Sequence, residues 1–404
     1  MTSDYLYYWL SSAKPIAEEL ASGTTFLEIS GAKAAQIPCP VAPIAEQTRI
    51  VTKLEELLSD LDAGVAELKA AQKKLTQYRQ SLLKAAVEGR LTAQWRADRA
   101  RRGEPTETGA QLLQRILQER RTRWETQQRA KFAAQSKTPP QGWQSKYPEP
   151  VKPDTTDLPE LPEGWVWASL AQLSEIQGGI QKQPSRAPIL NKYPFLRVAN
   201  VARGKLNLNE IHEIEIFPGE LERFSLEKDD ILVVEGNGSL TEIGRCALWD
   251  GSIPDTVHQN HLIRVRPIIS ESKFIETWLN SVYGINKIIE LAATTSGLYT
   301  LSVGKISKLP VPVAPLPEQQ ESLALMGYQM DAIENQSQDV ELALNQSAAQ
   351  RKNILRAAFS GQLVPQDPSD EPASQLLARI RAERSARSSE KTSRGRKRKT
   401  EITV

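Results

Sequence analysis

The sequence predicts an α+β protein in which two copies of one long-helix unit frame a mixed domain. Three observations predict it. Two sequence blocks each recur at a single offset of 272 residues. In both copies a long proline-free stretch with helical patterning joins the two blocks. One region between the copies carries short apolar runs separated by turn residues.

The first block is Pro38-Cys39-Pro40-Val41-Ala42-Pro43-Ile44-Ala45-Glu46-Gln47. It matches Pro310-Val311-Pro312-Val313-Ala314-Pro315-Leu316-Pro317-Glu318-Gln319 at seven of ten positions. The second is Leu83-Lys84-Ala85-Ala86-Val87-Glu88-Gly89-Arg90-Leu91, which matches Leu355-Arg356-Ala357-Ala358-Phe359-Ser360-Gly361-Gln362-Leu363. An internal repeat of this kind is the signature of a duplicated structural unit.

Between the blocks the chain reads as a helix. Prolines stop at Pro43 and Pro317 and do not return before Gly89 and Gly361. Proline at a helix start and glycine just past its end is the expected asymmetry. About 45 residues at 1.5 Å per residue make a rod of roughly 67 Å. In the first copy a heptad seam runs through Ile50, Leu54, Leu57, Leu61, Leu68, Leu75, Tyr78 and Leu82, with Gly64 and Ala71 at small positions. The second seam is Leu323, Met326, Met330, Ile333, Val340, Leu344 and Ile354, interrupted by Ser337, Ser347 and Arg351. Two helices of equal length most simply pair with each other; pairing with another chain is the alternative.

The likeness extends outwards. Gln111–Ile116 resembles Gln375–Ile380, Ser3–Leu10 lines up loosely with Ser272–Leu279, and Gly23–Leu27 with Ser296–Thr300. Residues 1–37 therefore read as the end of a globular domain. The expected order is that remnant, a first long-helix region at 38–92, and a basic helical segment with a Pro-rich linker at 93–160. A complete domain at 161–309 follows, then a second long-helix region at 310–364 and a short helix with a basic disordered tail at 365–404.

In the complete domain, Phe195–Val201, Ile231–Val234, Arg245–Leu248 and Leu262–Val265 read as strands. Gly178-Gly179, Gly204, Pro218-Gly219, Gly236-Asn237-Gly238 and Asp250-Gly251 supply turns. Phe274 to Leu291 reads as one helix.

Composition bounds function. The 404 residues are 40% hydrophobic and 25% charged, which is a soluble globular balance with room for two or three cores. No run of about 18 apolar residues exists, and the first ten residues lack the basic start of a signal peptide. Two cysteines, Cys39 and Cys246, fit a reducing cytoplasm. Net charge is only +2, but Leu91–Pro150 holds 12 Lys/Arg against 6 Asp/Glu, and Arg384–Lys399 holds 8 against one acid. Such segments attract nucleic acid by counterion release or are simply solvated.

Catalytic signatures are missing. Gly304-Lys305 follows Gly297 at the wrong spacing for a phosphate loop, and Ile306 stands where Ser or Thr belongs. No glycine fingerprint for S-adenosylmethionine or NAD is present, nor an N-P-P-[FY] motif. Asp229, Asp230 and Glu235 lack the lysine of a nuclease triplet and read as surface and turn acids. The histidines are His212, His258 and His261; His258 and His261 are spaced i, i+3, but no further ligands accompany them.

The polar loops are better suited to reading DNA. Gln177–Gln183 and Glu235–Ser239 combine glycines with amide and basic donors, so backbone can approach a partner closely. Bidentate Asn or Gln on adenine and Arg or Lys on guanine are what major-groove reading requires. Candidate DNA contacts are Gln181, Lys182, Arg186, Arg197, Asn200, Asn237, Ser239, Arg245, His258, Gln259 and Asn260. Thr294, Thr295 and Tyr299 join them, as hydroxyls suited to phosphates. For each the competing reading is an ordinary turn or a surface salt bridge.

The P-x-P-x-x-P-x-x-E-Q start of each rod, the Leu83–Leu91 exit and the second copy 272 residues on closely resemble the specificity subunit of type I restriction-modification systems. Leu161-Pro162-Glu163-Gly164-Trp165 resembles the start of a target recognition domain of that family. Gly23-Thr24-Thr25-Phe26 with Ile29-Ser30 resembles the end of one. The resemblance implies an antiparallel coiled-coil spacer and a DNA half-site read by each recognition domain. It also implies a non-catalytic chain in the cytoplasm, away from membranes. This chain would bind no cofactor. S-adenosylmethionine would belong to the partner modification subunits, two of which methylate adenine, and ATP and Mg to the restriction (motor-nuclease) subunits.

The departure is in the first recognition domain, which by comparison with the second is short of about 110 residues. Either the chain is truncated there, or a second copy or a complementary fragment completes it. The alternative function is a structural coiled-coil adaptor without DNA specificity of its own.

Overall fold

The computed structural model describes residues 1–23, 27–156, 158–236, 242–293 and 301–400, with side chains to 386. The chain opens with α1 (Ser3–Ser12), α2 (Lys14–Leu20), α3 (Gly31–Ala34), α4 (Ile44–Val87), α5 (Ala93–Arg102) and α6 (Gly109–Ala134). There follow β1 (Val166–Ser169), α7 (Leu170–Leu173), β2 (Ser174–Gly178), β3 (Lys192–Leu196), β4 (Val201–Ala202), β5 (Lys205–Leu206) and β6 (His212–Glu215). Next come α8 (Glu220–Phe224), β7 (Ile231–Val234), β8 (Cys246–Leu248), β9 (Val257–His258) and β10 (Leu262–Pro267). The last elements are α9 (Ser272–Asn280), α10 (Val282–Ala292), α11 (Val303–Ile306), β11 (Pro310–Val313), α12 (Leu316–Phe359) and α13 (Ala373–Thr400). The fold is mixed α+β, in two compact units: Met1–Leu75 with Asn335–Val404, and Thr76–Glu334.

The repeated sequence folds repeatedly. Helices α4 and α12 are 44 residues each. Both end alike: Gly89 and Gly361 take φ of +68° and +75°. The next residues, Arg90 and Gln362, donate backbone N–H back to Ala85 and Ala357 at 2.9 Å. A left-handed glycine with that long return bond closes a helix by satisfying its last carbonyls. The two helix starts are also alike. Gln47 donates Nε2–H to the Ala42 carbonyl at 2.7 Å and accepts the Thr2 amide at 2.9 Å. Gln319 donates to Ala314 at 2.8 Å and accepts the Glu271 amide at 3.0 Å. Each Gln thus ties the rod to the residue leading into α1 or α9.

In the first unit, α4 and α12 pack Ile50, Leu54 and Leu58 against Ile354, Leu355, Ala358 and Phe359, with Tyr5 of α1 buried among them. Arg351, at a seam position of α12, pairs with Asp62. The buried row uses Leu58, while the expected Leu57 is half-buried.

In the second unit, the far end of α4 meets the start of α12, and the Tyr78 hydroxyl bonds Gln329 at 3.1 Å. Tyr78 itself is 52% exposed, so it borders the seam and does not fill it. The centre of this unit is a four-stranded sheet in the order β2-β10-β7-β8, antiparallel throughout. One face, with Ile231, Val233, Cys246, Ile263 and Val265, packs on α6, α9 and α10 residues. The other, with Leu232, Val234, Ala247 and Leu262, packs on Leu196, Val201 and Trp249. Two covered faces explain why β7 reads Ile-Leu-Val-Val with no polar alternation. A three-stranded sheet, β6-β3-β9, and the β4-β5 ladder adjoin it.

Two sequence expectations are corrected. The run expected as a strand over Phe195–Val201 stops at Leu196. There Asn200 turns the chain by accepting the Arg197 amide at 2.8 Å and donating to the Asn207 and Glu210 carbonyls. The helix expected over Phe274–Leu291 is two, α9 and α10. Ser281 breaks it in extended conformation (φ −73°, ψ 162°) and caps α10 by accepting the Gly284 amide. Apolar periodicity runs through this break, because both helices present the same face to the sheet.

Candidate nucleic-acid interface

The antiparallel order puts the end of β2, the end of β7 and the start of β10 at one end of the four-stranded sheet. The polar loops expected to contact DNA leave from there. Ile180 forms a bridge with Gln259, and the Asn260 amide returns to the Ile180 carbonyl at 2.9 Å. Gly179 makes this crossing possible: a Cβ there would lie 2.3 Å from the His258 carbonyl oxygen. The Glu235 amide bonds the His261 carbonyl at 2.9 Å, and the Glu235 carbonyl accepts the Leu301 amide at 2.7 Å. Residues 177–182, 235–236, 259–261 and 301 are therefore gathered at one sheet end.

The predicted residues divide into two groups. Gln181 and Lys182 are exposed, and Gln259 and Asn260 are half-buried. Among the described residues none of these four side chains is held by a hydrogen bond or ion pair. Lys182 also lines a groove of about 880 Å³ with Gln183, Arg186, Phe195, His212 and Glu213 among its walls.

The second group is engaged internally. Arg186 makes a two-pronged pair with Glu220, both bonds 2.8 Å, and lies over the Phe217 ring at 4.4 Å. This pairing holds the Glu220 carboxyl down at about 2. Arg197 bonds Glu210 at 3.1 Å, and Glu210 also meets His212 at 2.8 Å. Asn200 is buried and spends its amide on the turn described above. Arg245 donates to the Val201 and Val198 carbonyls at 2.6 and 2.9 Å and to Glu242 at 2.7 Å. His258 is fully buried. Burial, helped by the charge of Arg264, lowers its pKa to about 3, so the ring is neutral. Arg197, Asn200 and Arg245 thus hold the turn at 197–210 and its flank, and Arg186 is tied to Glu220. Asn237, Ser239, Thr294, Thr295 and Tyr299 lie outside the described residues.

Sequence reasoning overlooked a buried hub at the rod start. Glu318, 1% exposed, accepts the Trp165 indole N–H at 2.9 Å and the Thr92 hydroxyl at 2.6 Å, and pairs with Arg96. The signal was the Glu-Gln pair in both repeat copies, read only as a helix start. Among the described residues no group of three or more His, Cys, Asp and Glu is placed to hold a metal ion, and no helix is long and apolar enough to cross a membrane.

No protein-family model matches the chain. The type I restriction enzyme EcoKI specificity subunit of Escherichia coli (strain K12) is 27% identical over 394 residues, covering 93% of this chain and 70% of that protein. The StySPI specificity subunit of Salmonella potsdam is 26% identical over 389 residues, again covering 93% and 70%. A chain from a structure concerned with complex assembly and conformational transition of the type I R-M system matches with a TM-score of 0.56. It covers 89% of this chain and 71% of that one at 16% identity, and shows the shared fold. Over nine-tenths of its length the chain is thus similar to the specificity subunits of type I restriction-modification systems.

Proposed function

We propose that this chain is the DNA-sequence specificity subunit of a type I restriction-modification complex. The domain at 161–309 binds a DNA half-site. The long helices act as an antiparallel coiled-coil spacer and dock the modification (adenine methyltransferase) and restriction subunits. The chain itself carries no reaction; the methyl donor resides in the partner modification subunit.

The observation that carries this reading is the gathering of the polar loops at one sheet end, with uncommitted amide and ammonium groups presented on a braced frame. Phosphate contacts position a protein on DNA, and base-edge contacts specify the sequence. Lys182 supplies charge, while Gln181, Gln259 and Asn260 supply amides that can match adenine. Arg186, Arg197, Asn200, Arg245 and His258 act beneath them as positioning residues. On α12, Tyr328 is 83% exposed and offers an aromatic anchor for a docking subunit.

The test is binding of the full chain, with its modification subunit, to duplex DNA over a salt series. Affinity should fall steeply with salt, and Lys182→Ala should reduce the salt slope by about one. Gln181→Ala should relax the sequence preference at one base pair. No salt-dependent binding, alone or with the modification subunit, would leave the structural-adaptor reading in its place.

A further inference from the structure

The segment that joins the first rod to the domain at 161–309 carries a charge that the reading loops do not use. From Leu91 to Pro150 there are 12 Lys/Arg against 6 Asp/Glu. The structure sorts these charges into two parts. In the first part every base is engaged. Arg99 and Arg102 pair with Glu104, and Arg101 pairs with Asp98. On α6, Arg115 pairs with Glu107, Arg121 with Glu125 and Arg123 with Glu119. Arg96 serves Glu318, and Arg120 donates to the Ser174 carbonyl at 2.9 Å.

The excess therefore lies in the second part. Between Glu125 and Glu149 the chain has Arg129, Lys131, Lys137 and Lys146 and no acid. All four are exposed. Among the described residues, none of the four pairs with a carboxylate. They are also gathered, because the chain folds back on the end of α6. Trp143 is 8% exposed and stacks on Trp124 with ring centres 5.5 Å apart. Phe132 meets the Trp143 ring at 6.0 Å, and Tyr147 meets Trp124 edge-on at 5.4 Å. Arg129 lies over the Trp143 ring at 5.9 Å, and Lys146 stands in the 3-10 turn that Trp143 opens. The Lys137 amide donates to the Phe132 carbonyl at 2.9 Å, and Lys131 directly precedes Phe132. One aromatic staple thus holds four like charges together, and such a cluster raises the local potential for a polyanion. The staple belongs to the same body as the reading loops. Leu112 and Ile116 of α6 are buried in the core of the four-stranded sheet. Arg120 and Arg123 meet the start of β2, whose other end leads to those loops.

We propose that the end of α6 and its staple form a second DNA contact, a sequence-independent clamp on the phosphates of the duplex flanking the site that the loops read. Duplex DNA carries one negative charge per about 1.7 Å of its length, so clustered cations engage it whatever the bases. The rings of the staple are spent on one another, which leaves cations without an open aromatic platform for unpaired bases; this favours duplex over single strands. The inference rests on the DNA-binding reading above.

The test uses the full chain with its modification subunit and two duplexes carrying the methylated site. One is trimmed close to the site and one is extended by about two helical turns on each side. A variant with Arg129→Gln, Lys131→Gln, Lys137→Gln and Lys146→Gln should fold normally, because it loses no ion pair. On the extended duplex its salt slope should fall by about 0.9 for each phosphate contact removed, and its affinity at low salt at least about tenfold. On the trimmed duplex it should bind like the parent, and the methylated sequence should stay the same. A variant with Lys131→Arg, Lys137→Arg and Lys146→Arg should keep the parent's slope. An unchanged slope for the glutamine variant on the extended duplex would make the patch a solvated face and overturn the proposal. A changed methylated sequence would assign it to base reading, and loss of a partner subunit with the slope unchanged would assign it to protein docking; either result also overturns it. If Lys182→Ala lowers the slope and the glutamine variant does not, this inference alone fails. If the parent shows no salt-dependent binding at all, the proposed function fails and this inference with it.

Discussion

The Glu-Gln pairs at the two rod starts, Glu46-Gln47 and Glu318-Gln319, have the same sequence and half the same structure. The glutamines make matching bonds in both copies, because their partners lie within the repeated unit itself. The glutamates differ, because the partners of Glu318 come from Thr92, Arg96 and Trp165, outside the repeated block. At offset 272 the positions of Thr92 and Arg96 are Val364 and Pro368, which cannot donate to a carboxylate. A motif therefore fixes local geometry by itself, but the burial of its charge is balanced only by what the neighbouring domain brings. The rod exits show the same division. The glycine caps coincide, while Val87 lies in the core of the domain that follows and Phe359 closes on Tyr5 and Trp9.

The comparison can be broken most forcefully at the glutamates. Glu318→Ala would strand a buried indole, a hydroxyl and an arginine, and should cost about 3 kcal/mol in urea unfolding. Glu46→Ala should cost less than about 0.5 kcal/mol; equal losses would show that Glu46 has a partner of comparable worth. The glutamines should behave oppositely. Gln47→Ala and Gln319→Ala each remove a two-ended clamp, and both should cost about 2 kcal/mol, with faster amide exchange at the start of α1 and α9.

Acid should separate the units next. The three histidines all lie in Thr76–Glu334. His258 has a folded pKa of about 3, below the ordinary value of 6.5. Between those values the unfolded chain takes up a proton that the folded chain refuses. Stability of this unit should therefore fall as pH drops from about 6.5 towards 3, by up to about 1.4 kcal/mol per pH unit for this proton. His258→Leu should flatten that part of the curve, read by amide exchange in β7 and β10; an unchanged slope would assign the acid sensitivity to other groups. The smallest contrast is between the two tryptophans. Trp278→Phe forfeits a hydrogen bond and should cost about 1 kcal/mol more than Trp9→Phe, whose indole nitrogen has none to lose.

Much of this architecture was legible in the sequence because it is periodic or duplicated. The equal rods, their glycine ends and the strands β7 and β10 follow from proline placement and apolar runs. The division of the candidate DNA contacts into presenters and braces did not. Gln181 and Arg186 are both polar loop residues, and only the fold places Glu220 across from the arginine. His258 looked like its polar neighbours Gln259 and Asn260, but it lies in β9, where both residues are buried. The break at Ser281 was hidden because both helices pack the same face on one sheet.

The most direct test of the central claim, that residues 161–309 set the DNA sequence addressed, is methylome sequencing of cells carrying this chain and its modification subunit. The native chain is compared with one in which that domain is replaced by the corresponding region of a relative. The account predicts that the methylated site changes in the half read by the exchanged domain. An identical methylation pattern before and after the exchange would contradict it.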